Sequence, residues 1–126
     1  MFRKTRIALV LAAFAVSLTA LTGIASAAGA ETKVSIKGDN GDYYGYVKSS
    51  DAGNCANNRK VTVFKQLGSV QDPSVDQQIG SDIAQPNGPK YMWAIGNSGY
   101  KHGDFYAKAA KVPGSCKAAT SKTISR

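Results

Sequence analysis

The sequence predicts an all-β fold: an antiparallel sandwich of about seven strands, following a cleaved export signal. Three observations carry this expectation. No long segment repeats apolar residues at helical spacing; short runs rich in β-branched and aromatic residues appear instead, separated by Gly, Asn, Asp and Pro. Those runs return at roughly ten-residue intervals, the rhythm of two packed sheets. The 126 residues, 43% of them hydrophobic, amount to a single globular domain.

The first thirty residues stand apart. Arg3, Lys4 and Arg6 precede 15 uncharged, mostly apolar residues from Ile7 to Leu21, and two small-residue triplets follow, Ala25-Ser26-Ala27 and Ala28-Gly29-Ala30. A positive start, an apolar run and an A-x-A end describe a secretory signal peptide. A membrane-spanning helix needs about 20 apolar residues and carries no such cleavage site. Residues 1–30 are therefore read as signal and 31–126 as one β-sandwich domain, secreted to an extracellular or periplasmic space without a transmembrane anchor; the two triplets put the mature N-terminus at Ala28 or Glu31. Losing the three signal cations reduces 16 Lys+Arg to 13 against 8 acids, a net charge of +5 instead of +8. The remaining length excludes a multidomain enzyme, a large cofactor domain and a membrane channel. The charge favours solubility and a weak attraction to polyanions.

Val34 and Ile36 alternate with Ser35 and Lys37 as a half-buried strand, and Asp39-Asn40-Gly41-Asp42 supplies the positive φ of a tight turn. Tyr43 to Lys48 is the next strand, with Tyr44 and Tyr46 on one face. Ser49 to Asn58 is a polar loop holding Cys55. Lys60 to Gln66 is the clearest strand, with Val61, Val63 and Lys65 opposite Thr62, Phe64 and Gln66. Residues 67–78, with Gly68, Pro73 and a polar Asp76-Gln77-Gln78, read as a long exposed loop. Ile79 to Ala84 is a strand and Gln85 to Lys90 a turn. Tyr91, Trp93 and Ile95 then alternate with Met92 and Ala94. Asp104 to Val112 reads as strand by its Phe-Tyr start, Pro113-Gly114 stops it, and Ser121 to Ser125 forms the last strand. The expected core is Val34, Ile36, Val61, Val63, Ile79, Trp93, Phe105 and Ile124.

Cys55 and Cys116 are the only cysteines. In an oxidising compartment an even pair reads as one disulfide, the alternatives being two free thiols or a bridge between chains. The C-x-x-C spacing of a redox or zinc site is absent.

The order of blocks carries a resemblance. Gly45-Tyr46-Val47, Cys55, Arg59-Lys60-Val61-Thr62-Val63-Phe64, Ile79-Gly80-Ser81-Asp82, Asn87-Gly88 with Tyr91, and Gly103-Asp104-Phe105-Tyr106-Ala107-Lys108 with Cys116 together resemble the transthyretin-like and carboxypeptidase-regulatory-like group of secreted sandwiches. The resemblance implies a prealbumin-like sandwich serving as a structural or binding module. The Asp82-to-Gly88 interval is longer than the group's usual turn. The hydroxyisourate hydrolase branch ends in Tyr-Arg-Gly-Ser; this chain ends Lys122-Thr123-Ile124-Ser125-Arg126 and has one histidine, so that activity is not implied.

Chemistry-bearing residues are few. His102 lies with Ser98 and Asp104 in a single loop, whereas catalytic triads draw on separated segments, so no catalytic residue is assigned. The acids Asp39, Asp42, Asp51, Asp72, Asp76 and Asp82 lack the alternate spacing and terminal Glu of an EF-hand and read as turn formers; no metal or cofactor is expected. The aromatic–lysine interleaving is the most informative pattern. Phe64, Trp93 and Phe105 are assigned to the core, while Tyr43, Tyr91 and Tyr100 with Lys48, Lys90 and Lys101 form the candidate binding face, where rings stack and cations meet an anionic polymer. A dense basic stripe is missing, so no specific nucleic acid is expected. The leading reading is a secreted, non-enzymatic module for an envelope polymer or a protein partner. A cationic secreted effector or inhibitor comes second, and a small hydrolase centred on His102 third.

Overall fold

A computed structural model describes residues 29–126, so nearly all of the expected signal segment lies outside the described residues. The elements in chain order are β1 (Thr32–Val34), β2 (Lys37–Asp39), β3 (Asp42–Ser49), α1 (Ala52–Cys55), β4 (Lys60–Gln66), β5 (Gln77–Ile83), β6 (Gln85–Asn87), β7 (Lys90–Ile95), β8 (Asp104–Ala109), β9 (Ala119–Thr120) and β10 (Ile124–Ser125). They form two antiparallel five-stranded sheets. One runs β1-β3-β7-β6 with β2 also on β3; the other runs β10-β8-β4-β5 with β9 also on β8.

Ten strands replace the expected seven because the first and last strands are each interrupted and because the expected turn at 85–90 is itself partly strand: Gln85–Asn87 pairs back on Lys90–Met92, leaving only Gly88 and Pro89 to turn. The register from Val34↔Val47 to Lys37↔Tyr44 is continuous, so β1 and β2 are one edge strand interrupted at Ser35. There the Ser35 N–H donates to the Tyr46 carbonyl (3.0 Å), but the Tyr46 N–H donates to Ser35 Oγ (2.9 Å). The Ser35 carbonyl, displaced from the ladder, turns over Gly45, where a Cβ would sit 1.9 Å from its oxygen. The last strand is also interrupted at a serine, but there the register slips by one residue between Lys108↔Thr120 and Phe105↔Ile124. Ser121 N–H donates to the Ala107 carbonyl (2.8 Å), and Ala107 N–H donates to Ser121 Oγ (2.8 Å). Each sheet thus has one edge pinched by a serine. The polar 49–58 loop also contains the single turn α1, which is too short to carry an apolar period.

The core sits between the sheets. Val34, Ile36, Val61, Val63, Trp93 and Phe105 are buried as alternation requires, while Ile79 and Ile124 pack half-buried against them. Tyr43 is also interior, 1% exposed. Its ring packs 4.7 Å from Phe105, and its hydroxyl donates to the Tyr100 carbonyl (2.6 Å).

Residues 67–76 are not simply an exposed loop, and Asp76 is not a solvated turn acid. Phe64 and Tyr106, directly paired across β4 and β8, stack at 5.3 Å and are both buried. This segment is pinned to them through Asp76. One carboxylate oxygen accepts from the Leu67 N–H (2.9 Å), the other from the Asp72 N–H (2.7 Å) and the Tyr106 hydroxyl (2.6 Å). Those donors, the tyrosine foremost, hold the Asp76 carboxyl below its ordinary pKa, and burial with the same hydrogen bond pushes the Tyr106 hydroxyl well above its own.

Cys55 and Cys116 are joined within the chain, 61 residues apart in sequence. Beside them Arg59, 5% exposed, donates to the carbonyls of Cys55 (3.0 Å), Ala110 (2.7 Å) and Lys117 (2.9 Å). Burial lowers its pKa, and the three carbonyls, not a carboxylate, solvate the charge. Ala30 joins this corner, donating to the Ser115 carbonyl and accepting from the Lys117 N–H, both at 2.9 Å. The described fold therefore includes Ala30.

Candidate anion-binding face

The outer face of the first sheet collects residues that are far apart in sequence. Strand pairing sets Lys33 directly opposite Lys48. The pair Val47↔Tyr91 ends the β3–β7 ladder, so Lys48 and Lys90 follow one step further on. Three exposed lysines thus line up across β1, β3 and β7. The neighbouring row sets Tyr46 opposite Met92, with the Lys90 ammonium 4.9 Å from the centre of the Tyr46 ring. Strand separation spaces the ammonium groups by roughly 5 Å at their roots. Like charges directly opposite in a sheet cost stability, on the order of a few tenths of a kcal/mol to 1 kcal/mol per pair. Stability alone would place an acid in this row.

These side chains enclose a shallow cavity of about 310 Å³ lined by Lys33, Val34, Ser35, Tyr46, Lys48 and Lys90, with no acid among them. An adjoining hollow adds Glu31, Ser49 and Ser50. Glu31 is already engaged, since its ion pair with Lys117 holds its carboxyl below the usual range. The cavity offers cations beside an apolar ring. It is suited to hold an anion.

Two of the six residues expected on a binding face, Lys48 and Lys90, belong to this site; the others do not. Tyr43 and Tyr91 share the inward parity of Val47 and Trp93, so Tyr43 is buried and Tyr91 packs half-buried against the core. Tyr100 also packs there, its carbonyl holding Tyr43 and its hydroxyl accepting from Gln77 (2.7 Å). Lys101 lies near the β2–β3 turn at Gly41. The ring that joins the lysines is Tyr46, and Lys33 completes the row. The alternation that puts Tyr44, Tyr46 and Lys48 on one face was a legible signal for the ring; Lys33 needed the strand register.

The loop residues Ser98, His102 and Asp104 are not assembled. Ser98 Oγ donates to the Gly41 carbonyl (2.6 Å), Asp104 accepts from Ser125 Oγ (2.6 Å), and His102 is exposed and bonded to neither. Asp51 and Asp72 accept from donors two or three residues away, as turn formers do; Asp42 and Asp82 do not, since Asp42, at the start of β3, accepts from the Asn97 N–H (2.7 Å) and Asp82, within β5, accepts from the Ala94 N–H of β7 (2.8 Å). Among the described residues no three His, Cys, Asp or Glu side chains converge, and no helix is long and apolar enough to cross a membrane.

What the fold and site define is an all-β, disulfide-bonded sandwich with a cationic, tyrosine-bearing sheet face. No family model, no curated protein and no solved structure matches this chain.

Proposed function

We propose that the protein is an exported, non-catalytic module that binds an anionic polysaccharide through the outer face of its first sheet. The observation that carries this reading is the row Lys33–Lys48–Lys90 beside Tyr46, a like-charge arrangement that costs stability and includes no acid. Ammonium groups at strand spacing meet repeated carboxylate, sulfate or phosphate groups, while the tyrosine gives a sugar ring an apolar wall. Kinship with transthyretin-like sandwiches belongs to the same proposal, supported by the order of sequence blocks around Gly45-Tyr46-Val47 and Cys55. The buried disulfide accords with an oxidising compartment, where an exported module works.

Retention on immobilised polygalacturonate, with neutral dextran as the control matrix, tests the proposal. The native protein should be held by the anionic matrix, be released by salt, and pass through dextran. Lys48→Glu with Lys90→Glu should abolish retention at an unchanged melting temperature, and Tyr46→Ala should weaken it. Free passage of the native protein, or full retention of the double variant, overturns the reading.

A further inference from the structure

The lysine face does not end at β1. Val34 and Ser35, which form one wall of the Tyr46 cavity, also line a larger cleft of about 590 Å³ on the other side of the same edge strand, together with Ile36, Lys37, Ser121, Lys122, Ile124 and Arg126. This cleft is the seam where the two serine-pinched edges, β1–β2 of one sheet and β9–β10 of the other, come side by side. Its floor is apolar, formed by Val34, Ile36 and the half-buried Ile124. Its exposed charges are Lys37, Lys122 and Arg126, and no Asp or Glu lines it. Nothing in the core explains three cations from two sheets around one apolar seam.

We infer that the two cavities form one continuous track, so that the ligand is an extended anionic glycan crossing the β1–β2 edge from Tyr46 into the seam. The inference rests on the proposed function and deepens it: the substrate class becomes a chain of several anionic sugars, not a single charged group. Charge complementarity selects the occupant. Six cations, Lys33, Lys48 and Lys90 on the face and Lys37, Lys122 and Arg126 in the seam, surround the track without an acid in either cavity. An acidic chain laid along it gains at each cation and releases counterions as it binds. The apolar floor and charged margin suit the ring faces and charged substituents of such a chain.

Oligogalacturonates of defined length, from dimer to decamer, provide the test, with affinity measured by calorimetry and contact mapped by amide chemical shifts in labelled protein. Affinity should rise with length. Lys37→Glu combined with Lys122→Glu should bind the dimer as the native protein does and the decamer roughly tenfold more weakly. Amide shifts at Ser121 and Ile124 should appear with the decamer only. A native affinity independent of length, or a double variant that weakens dimer and decamer equally or neither, overturns the continuous track while leaving the Tyr46 face standing. If no oligomer of any length binds the native protein, the proposed function and this inference fall together. A melting temperature equal to that of the native protein shows that the variant is folded.

Discussion

Replacing both Cys55 and Cys116 by alanine removes the covalent tie between α1 and the segment after β8. The bridge spans 61 positions of sequence, and for a closed loop of that size the chain-entropy model gives about 4 kcal/mol of stabilisation through the unfolded state. For a domain of this size about 4 kcal/mol shifts the melting temperature by roughly 20 °C, out of a total margin on the order of 5–15 kcal/mol. Both cysteines are buried, 0% and 1% exposed, so alanine leaves no exposed hydrophobic group that would confuse the comparison. Differential scanning calorimetry of the double variant and of the native protein, with and without reductant, measures the effect. Reduced native protein should melt near the variant. A difference under about 5 °C would refute the loop-entropy reasoning, because the unfolded chain would then gain little freedom from the cut. Two titratable thiols per unfolded, unreduced chain would refute the bridge itself.

Three further outcomes are expected. Gly45→Ala places a Cβ 1.9 Å from the Ser35 carbonyl oxygen and 3.0 Å from Trp93 Nε1; the backbone has to move, which should cost about 3 kcal/mol and lower the melting temperature by at least about 10 °C with a changed Trp93 fluorescence. Gly53→Ala, with open space around it, is the control, and equal melting of the two variants would contradict the steric account. Because the Asp76 carboxyl is held below its ordinary pKa, its stabilising contribution is fully present above about pH 4 and is lost as pH falls through the folded-state value. The stability gap between native protein and Asp76→Asn, followed by urea titration, should therefore narrow below about pH 4; a gap that stays constant there would show that the carboxylate is not the titrating group. Exported protein should begin at Ala28, since cleavage after Ala30 would remove both backbone bonds that Ala30 makes; Edman sequencing that reads Glu31 first would refute this.

The residues of β3 and β4 show how far local pattern reaches. Strand side chains alternate, so placing Val47 inside also places Tyr43 inside and turns Tyr44, Tyr46 and Lys48 outward; the sequence alone contained that division, and Tyr43 was an error of parity, not of missing information. Val61 and Val63 point inward by the same rule. With only two cysteines, the disulfide partners were also legible once export was assumed. The burial of Phe64 was legible too; that of Tyr106 was not, because it lies on the outer face of β8 and is held there by Asp76 of the 67–76 segment, a contact that no period within β8 reports.

What the sequence by itself determined is therefore the class of the fold, the facing of most strand residues and the pairing of its cysteines, each a consequence of backbone geometry over a few residues or of simple counting. The row Lys33–Lys48–Lys90, the seam between Ser35 and Ser121 and the buried Asp76 were decided by the tertiary structure. Their members come from strands and loops well separated along the chain. They meet only because hydrogen-bond register and sheet packing, which minimise the free energy of the whole domain, bring those particular positions together.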